Sequence, residues 1–158
     1  IFDCGYEGPS AVIIASVDGS SAEYLNDVTA FRGSLGWGSM ALSPDETILA
    51  LTDAVGRLQI VPLDGSPIQH IAQWGVVSAW SPDSRRLYYL QGGDASFKQS
   101  AQYVYDVEAQ RSTKLFSSPL YAADGIMVEI TSDIIVSPLE NAAIFYQFQG
   151  LWLVTWSP

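Results

Sequence analysis

The sequence predicts an all-β chain built from successive four-stranded antiparallel sheets, and three observations predict it. First, Ser43 to Thr52 (SPDETILALT) returns at Ser81 as SPDSRRLYYL and, more weakly, at Ser137 as SPLENAAIFY. Each copy is a turn followed by a strand that is apolar on both faces, the pattern of a strand buried between two layers. Second, the segments flanking the first two copies match strand for strand. Third, no gap between them is long or apolar enough to require a helix. The first two copies lie 38 residues apart, close to the roughly 40 to 45 of a four-stranded propeller blade. The chain therefore reads as a β-propeller segment of four-stranded antiparallel blades.

Ser10 to Val17 (SAVIIASV) is a β-branched run closing at Asp18-Gly19-Ser20, which reads as a buried strand ending in a tight turn. Tyr24 and Leu25 fall on the returning strand, and Asn26 to Gly38 form a polar, Gly-containing connection that carries Phe31 and Trp37. Ser39 to Leu42 then leads into Ser43-Pro44-Asp45. Pro44 presets the backbone torsion of the second turn position, while Ser43 and Asp45 can accept bonds from amides that the turn leaves unpaired. Further strands are expected at Thr47 to Thr52, Leu58 to Leu63 and Ile68 to Ile71, with turns at Gly56 and at Asp64-Gly65-Ser66. Pro62 cannot donate to a ladder, so its nitrogen is expected at an edge or a bulge.

The second unit places strands at Val76 to Trp80, Leu87 to Leu90, Tyr103 to Val107 and Thr113 to Phe116. The third places them at Ile134 to Val136, Ala143 to Phe148 and Leu151 to Trp156. The expected organisation is a partial blade over 1–38, blades over 39–75 and 76–133, and a partial blade over 134–158, thirteen strands in all. A propeller closes at about four to eight blades, so a closed ring is expected to need further blades or another chain. The start at Ile1 instead of Met fits a processed N-terminus or an excerpt, and the blade count favours the excerpt. An antiparallel sandwich with chance Ser-Pro turns is the alternative; the matched strand positions weigh against it.

Composition narrows the partners. With 48% hydrophobic and 12% aromatic residues the chain can bury a core. Its net charge of -10 repels a phosphate backbone and an anionic membrane surface, so nucleic acid is not expected, and no run of 18 apolar residues could span a bilayer, so membrane insertion is not expected. Cys4 is the sole cysteine and His70 the sole histidine, which excludes an intrachain disulfide and any two-His metal site. Neither a G-x-S-x-G nucleophile turn nor a D-x-D-x-D-G calcium loop occurs. No phosphate-cradling Gly motif precedes a helix. No catalytic residue, cofactor or metal is therefore assigned.

The repeat resembles that of the TolB-like propellers, bacterial relatives of the WD-repeat propellers, in which Trp-Ser-Pro-Asp-Gly precedes an apolar strand. Ala79-Trp80-Ser81-Pro82-Asp83 with Leu87-Tyr88-Tyr89 is the best match, followed by Leu42-Ser43-Pro44-Asp45 with Ile48-Leu49-Ala50. Glu46 and Ser84 stand where the family has Gly, and Leu139 stands in place of Asp. The resemblance implies a bacterial cell-envelope or secreted setting. The leading expectation is a non-catalytic scaffold for protein recognition, and the alternative is the propeller domain of a prolyl oligopeptidase-like serine hydrolase whose catalytic residues lie outside this sequence. A propeller that binds a small ligand in its central channel is a third reading on which the sequence does not bear.

The third copy starts 56 residues after the second. Matching Tyr103 to Leu58 divides the excess of 18 into seven residues before the third strand and eleven after it. The two lengthened loops are 91–102 (QGGDASFKQSAQ) and 117–133. In an up-and-down blade both lie on one side of the disc, the Ser-Pro-Asp and Asp-Gly turns lie on the other, and insertions gathered on one face are where repeat proteins place recognition. Phe97 and Lys98 in the first insertion suit a protein contact, or Phe97 covers the blade edge. Trp37, Trp74 and Tyr121, also on that side, are either wedges between blades or exposed anchors.

Overall fold

The computed structural model describes residues 10–30, 40–53, 55–93, 99–121, 127–128, 134–137, 142–147 and 150–155. Strands that are apolar on both faces have to be covered twice, and the chain does this by stacking sheet on sheet. Strands β1 (Ser10–Ala15) and β2 (Ala22–Ala30) pair across the Asp18 turn. A four-stranded sheet follows, formed in chain order by β3 (Met40–Leu42), β4 (Ile48–Thr52), β5 (Arg57–Pro62) and β6 (Gln69–Gln73). The next comprises β7 (Gly75–Trp80), β8 (Arg86–Gln91), β9 (Ala101–Asp106) and β10 (Arg111–Ser117). A two-stranded ribbon, β11 (Leu120–Tyr121) with β12 (Met127–Val128), precedes the last sheet, β13 (Ile134–Val136), β14 (Ala142–Gln147) and β15 (Gly150–Thr155). Every pairing among them is antiparallel.

Three expectations are corrected. Residues 26–30, expected at the start of a connection, continue the returning strand β2, where Thr29 and Ala30 pair with Ala11 and Ser10. The insertion at 117–133 holds the β11–β12 ribbon, so the described residues contain fifteen strands and not thirteen. Strands of two residues carry no alternation to read. The first insertion is also shorter than the alignment of Tyr103 with Leu58 suggests. The amide of Leu63 donates to the Thr47 carbonyl, and that of Val107 to the Arg85 carbonyl, each at 2.9 Å. The first pair is 16 residues apart and the second 22, so the second hairpin is six residues longer. On this register Gln102, not Tyr103, stands where the first unit has Leu58.

One backbone bond recurs in all three copies of the repeat. The amides of Ser43, Ser81 and Ser137 donate to the carbonyls of Ile48, Arg86 and Ala142, each at 2.8 Å. In the first two copies the serine hydroxyl donates to the acid two residues on, Ser43 to Asp45 at 2.6 Å and Ser81 to Asp83 at 2.7 Å. The same hydroxyls accept the amides of Ile48 and Arg86. These bonds from Ser43 and Ser81 hold both aspartates below the ordinary carboxylate range. The residue after each of these aspartates is left-handed: Glu46 and Ser84 have φ of 62° and 61°, a conformation that costs an L-residue about 1 to 2 kcal/mol. In the Asp-Gly-Ser turns Gly19 and Gly65 supply it, with φ of 73° and 84°. There the amides of Ser20 and Ser66 donate to Asp18 and Asp64.

Alternate residues of β4 and β5 face opposite neighbours. Ala50, Leu58 and Ile60 pack against Val77, Leu87, Tyr89 and Tyr105 of the following sheet. Leu49, Leu51 and Val61 pack against Val12 of the preceding pair. Two bonds tie adjacent sheets near these cores. Trp80 Nε1 donates to the Ala41 carbonyl at 3.1 Å, which gives the repeat's Trp a physical task, and the Asp45 amide donates to Ser84 Oγ at 3.0 Å. Pro62 behaves as expected. Its neighbour Leu63 bonds toward β4, so the proline nitrogen points the other way, beyond Ile60 opposite Gln69 where the pairing with β6 ends.

In the last sheet Ile144 lies opposite Leu153, and Tyr146 opposite Leu151. Counted from the shared turn, these positions match Ala50 opposite Ile60 and Thr52 opposite Leu58. The matched residues differ completely in exposure: Leu58 is 0% and Ile60 1% exposed, Leu151 75% and Leu153 65%.

Candidate recognition face

The side of the sheets bearing the hairpin between β4 and β5, the hairpin between β8 and β9 and the link from β6 to β7 is held by polar bonds that sequence reading did not single out. Its centre is Asp53, buried at 2% exposure. One carboxylate oxygen accepts the amides of Val55 at 3.0 Å and Arg57 at 2.8 Å. The other accepts Arg57 Nε at 2.7 Å and Gln59 Nε2 at 2.6 Å. Burial pushes the Asp53 carboxyl up, but the bonds from the Arg57 amide and guanidinium and the Val55 amide outweigh it and leave the carboxyl below its ordinary range. The signal was an Asp closing a short hairpin with Gly and Arg after it, Asp53-Ala54-Val55-Gly56-Arg57.

Trp74 lies over this hairpin. Its amide donates to the Gly56 carbonyl at 2.7 Å, and its own carbonyl accepts the Gly92 amide at 3.0 Å. The residue is half-buried with φ of 55°. Its indole occupies the space a side chain on Gly56 would need, and Gly56 itself has φ of 80°, so only glycine fits there. Thr52 Oγ1 donates to the Gly75 carbonyl at 2.7 Å, and Gln73 Nε2 to the Val55 carbonyl at 3.0 Å. Trp74 thus joins the first hairpin to the second.

Tyr121 is in β11, opposite Met127, within the second insertion. Trp37, Phe97 and Lys98 lie outside the described residues, as does Cys4. Beneath the longer hairpin, Gln102 is 0% exposed. Its Nε2 reaches Ser78 Oγ at 3.4 Å, and Ser78 is the extra residue where the register of β7 on β8 shifts between Val77 and Ala79. Its Oε1 accepts no bond from any described residue. His70 is exposed on β6, the outer strand of its sheet. Among the described residues no three of His, Cys, Asp and Glu converge, and no helix is long and apolar enough to cross a membrane.

No known family profile matches the chain, and no curated protein matches it in sequence. Solved structures do match. The β-propeller domain of the trilobed protease from Pyrococcus furiosus, described as having an open velcro topology, is similar over 95% of this chain and 47% of that one, with 12% identity and a TM-score of 0.59. The fold is that of a β-propeller. The tricorn protease is similar over 86% of this chain and 13% of that one, with 14% identity and a TM-score of 0.58. A protein assigned as TolB from Agrobacterium tumefaciens is similar over 85% of this chain and 62% of that one, with 17% identity and a TM-score of 0.49. The propeller segment described here spans less than two thirds of each of these chains, and less than half of either protease chain.

Proposed function

We propose that this propeller segment is a non-catalytic scaffold for protein recognition, using the face that carries loops 91–102 and 117–133. The observation that supports it is the asymmetry of the blades. On one side the turns are short and closed by their own side chains. On the other, the second blade adds six residues to one hairpin and an extra ribbon to its exit. Trp74 braces that side, and Phe97, Lys98, Trp37 and Tyr121 are the residues proposed to meet the partner. Recognition concentrates in loops mounted on a rigid scaffold. Replacing Phe97 and Lys98 together by Ala is expected to weaken capture of protein partners from an extract of the source organism at least about tenfold, a loss of roughly 1.4 kcal/mol. The melting temperature is expected to stay within about 2 °C. A large fall in melting temperature would make the two residues structural and remove this reading.

The exposed row Ile144, Leu151 and Leu153 matches core positions of the first blade. It supports assembly against a further blade, from additional sequence or from another chain. A second reading is favoured by the two likenesses with TM-scores of 0.58 and 0.59, both to propellers of proteases: a propeller domain of a prolyl oligopeptidase-like hydrolase whose catalytic residues lie outside these residues. The intact mass of the native polypeptide separates them. A mass two to three times the 17.1 kDa of this chain completes a ring of about six to eight blades and favours the scaffold. A mass of roughly four times or more favours the hydrolase. The resemblance of the repeat to TolB-like propellers supports a bacterial cell-envelope or secreted setting.

A further inference from the structure

On the side of the disc opposite the insertions, a groove of about 700 Å³ opens between the outer strands of the two complete blades. One wall carries Ser66, Gln69 and His70, the other Tyr105, Arg111 and Ser112, and no lining residue is acidic. Two tyrosines set its hydrogen-bonding character. Tyr105 donates its hydroxyl to Gln69 Oε1 at 2.8 Å, bridging the blades, and Tyr89 donates to Ser112 Oγ at 2.9 Å. Burial raises both phenols above their ordinary range, and both donate in the structure. Each bond occupies an acceptor and leaves a donor, the Gln69 side-chain amide in one case and the Ser112 hydroxyl in the other. Arg111 adds a guanidinium that makes no ion pair among the described residues.

Two carboxylates lie near the groove, and each accepts a backbone amide of its own turn. Asp64 accepts the Ser66 amide at 2.9 Å, and Asp106, opposite Arg111 in the ladder, accepts the Ala109 amide at 2.8 Å. Charge along the chain points the same way. Arg85, Arg86, Lys98, Arg111 and Lys114, five of the seven Lys and Arg, fall within residues 76–117, where only Asp83, Asp94, Asp106 and Glu108 are acidic. The rest of the chain is strongly acidic, so the β7–β10 sheet is where an anion meets less repulsion than the chain's net charge implies.

We propose that this groove binds a carboxylate, held by the Arg111 guanidinium with the Gln69 amide and the Ser112 hydroxyl as neutral donors. Guanidinium is suited to the planar, bidentate grip a carboxylate offers. The carboxylate comes either from a small dicarboxylic acid or from an acidic side chain of a peptide, and two probes distinguish these. Calorimetric titration of the chain with succinate and with a Glu-rich hexapeptide is expected to give saturable binding by at least one of them. Binding by succinate marks a small-molecule site, and binding by the peptide alone marks a peptide site. Arg111→Gln is expected to weaken binding at least tenfold, Arg111→Lys less, and Arg85→Gln, a charge change outside the groove, not at all. In the unsubstituted chain, the NMR signals of the Gln69 side-chain amide and the Ser112 backbone amide are expected to shift on titration, whatever the fate of the variants. Absence of saturable binding, equal weakening by Arg111→Gln and Arg85→Gln, or shifts confined to other residues overturns the proposal.

Discussion

Leu58 and Leu151 occupy the same place in two blades and have opposite surroundings. Each opens the third strand's apolar row, and each lies opposite a residue at or next to the end of its second strand. Leu58 is covered by the next sheet and is 0% exposed; Leu151 is 75% exposed. Identical side chains at equivalent register therefore contribute differently, because burial and not residue type sets the hydrophobic free energy.

The largest expected effect breaks that contrast directly. Leu58→Ala is expected to cost about 2 to 5 kcal/mol, since it opens a cavity between two sheets. Leu151→Ala in the isolated chain is expected to stay within about 0.5 kcal/mol. Denaturant melts of the two variants check this, and comparable losses would show that the last sheet is covered in solution.

A second contrast sets the short hairpin against the long one. Asp53→Ala removes the acceptor for four donors and is expected to cost about 3 kcal/mol in equilibrium unfolding. The pH dependence sharpens it. Asp53 titrates below its ordinary value of 3.8 in the folded chain, so its contribution is complete above that value and is lost as the pH falls through the lower, folded-state pKa. Between about pH 5 and about pH 2 the unsubstituted chain is expected to lose stability more steeply than Asp53→Asn. Parallel slopes would show that the carboxylate's charge contributes nothing.

The smallest effects compare the two Ser-Pro-Asp turns. Both carry an L-residue in the left-handed region, but Ser84 also accepts the Asp45 amide across the blade boundary, and among the described residues no such bond is made by the Glu46 side chain. Glu46→Gly is expected to stabilise the chain by about 0.5 to 1 kcal/mol through relief of the left-handed backbone. Ser84→Gly is expected to be near neutral, because it loses a bond worth about 1 kcal/mol. Thermal melts that rise equally for both would remove the linking role of Ser84.

Much of the fold was legible in the residues because its determinants are local. Ser43, Ser81 and Ser137 each donate their amide to the carbonyl five positions on, and the apolar runs behind them are dense enough to read as strands buried on both sides. The returning strand β2, nine residues long, was legible only at Tyr24 and Leu25, because its polar residues carry no apolar pattern. Of the proposed recognition face, the lengthened loops were legible from spacing alone. Asp53, Gln59 and Trp74 were not legible as one bracing cluster, since hairpin closure and the blade-to-blade link bring them together only in space.

The sequence by itself determined the all-β class, the repeat, the turn chemistry and the side on which extra residues gather, because turn closure and strand periodicity are properties of neighbours along the chain. Only the tertiary structure decided that Gln102 is buried where a leucine stands in the preceding blade. It alone showed Leu151 uncovered while Leu58 is sealed, and a donor-lined groove with Arg111 between two blades. These depend on which sheet lies against which, and on register shifts such as that at Ser78, and a stacking contact between residues dozens of positions apart leaves no local pattern.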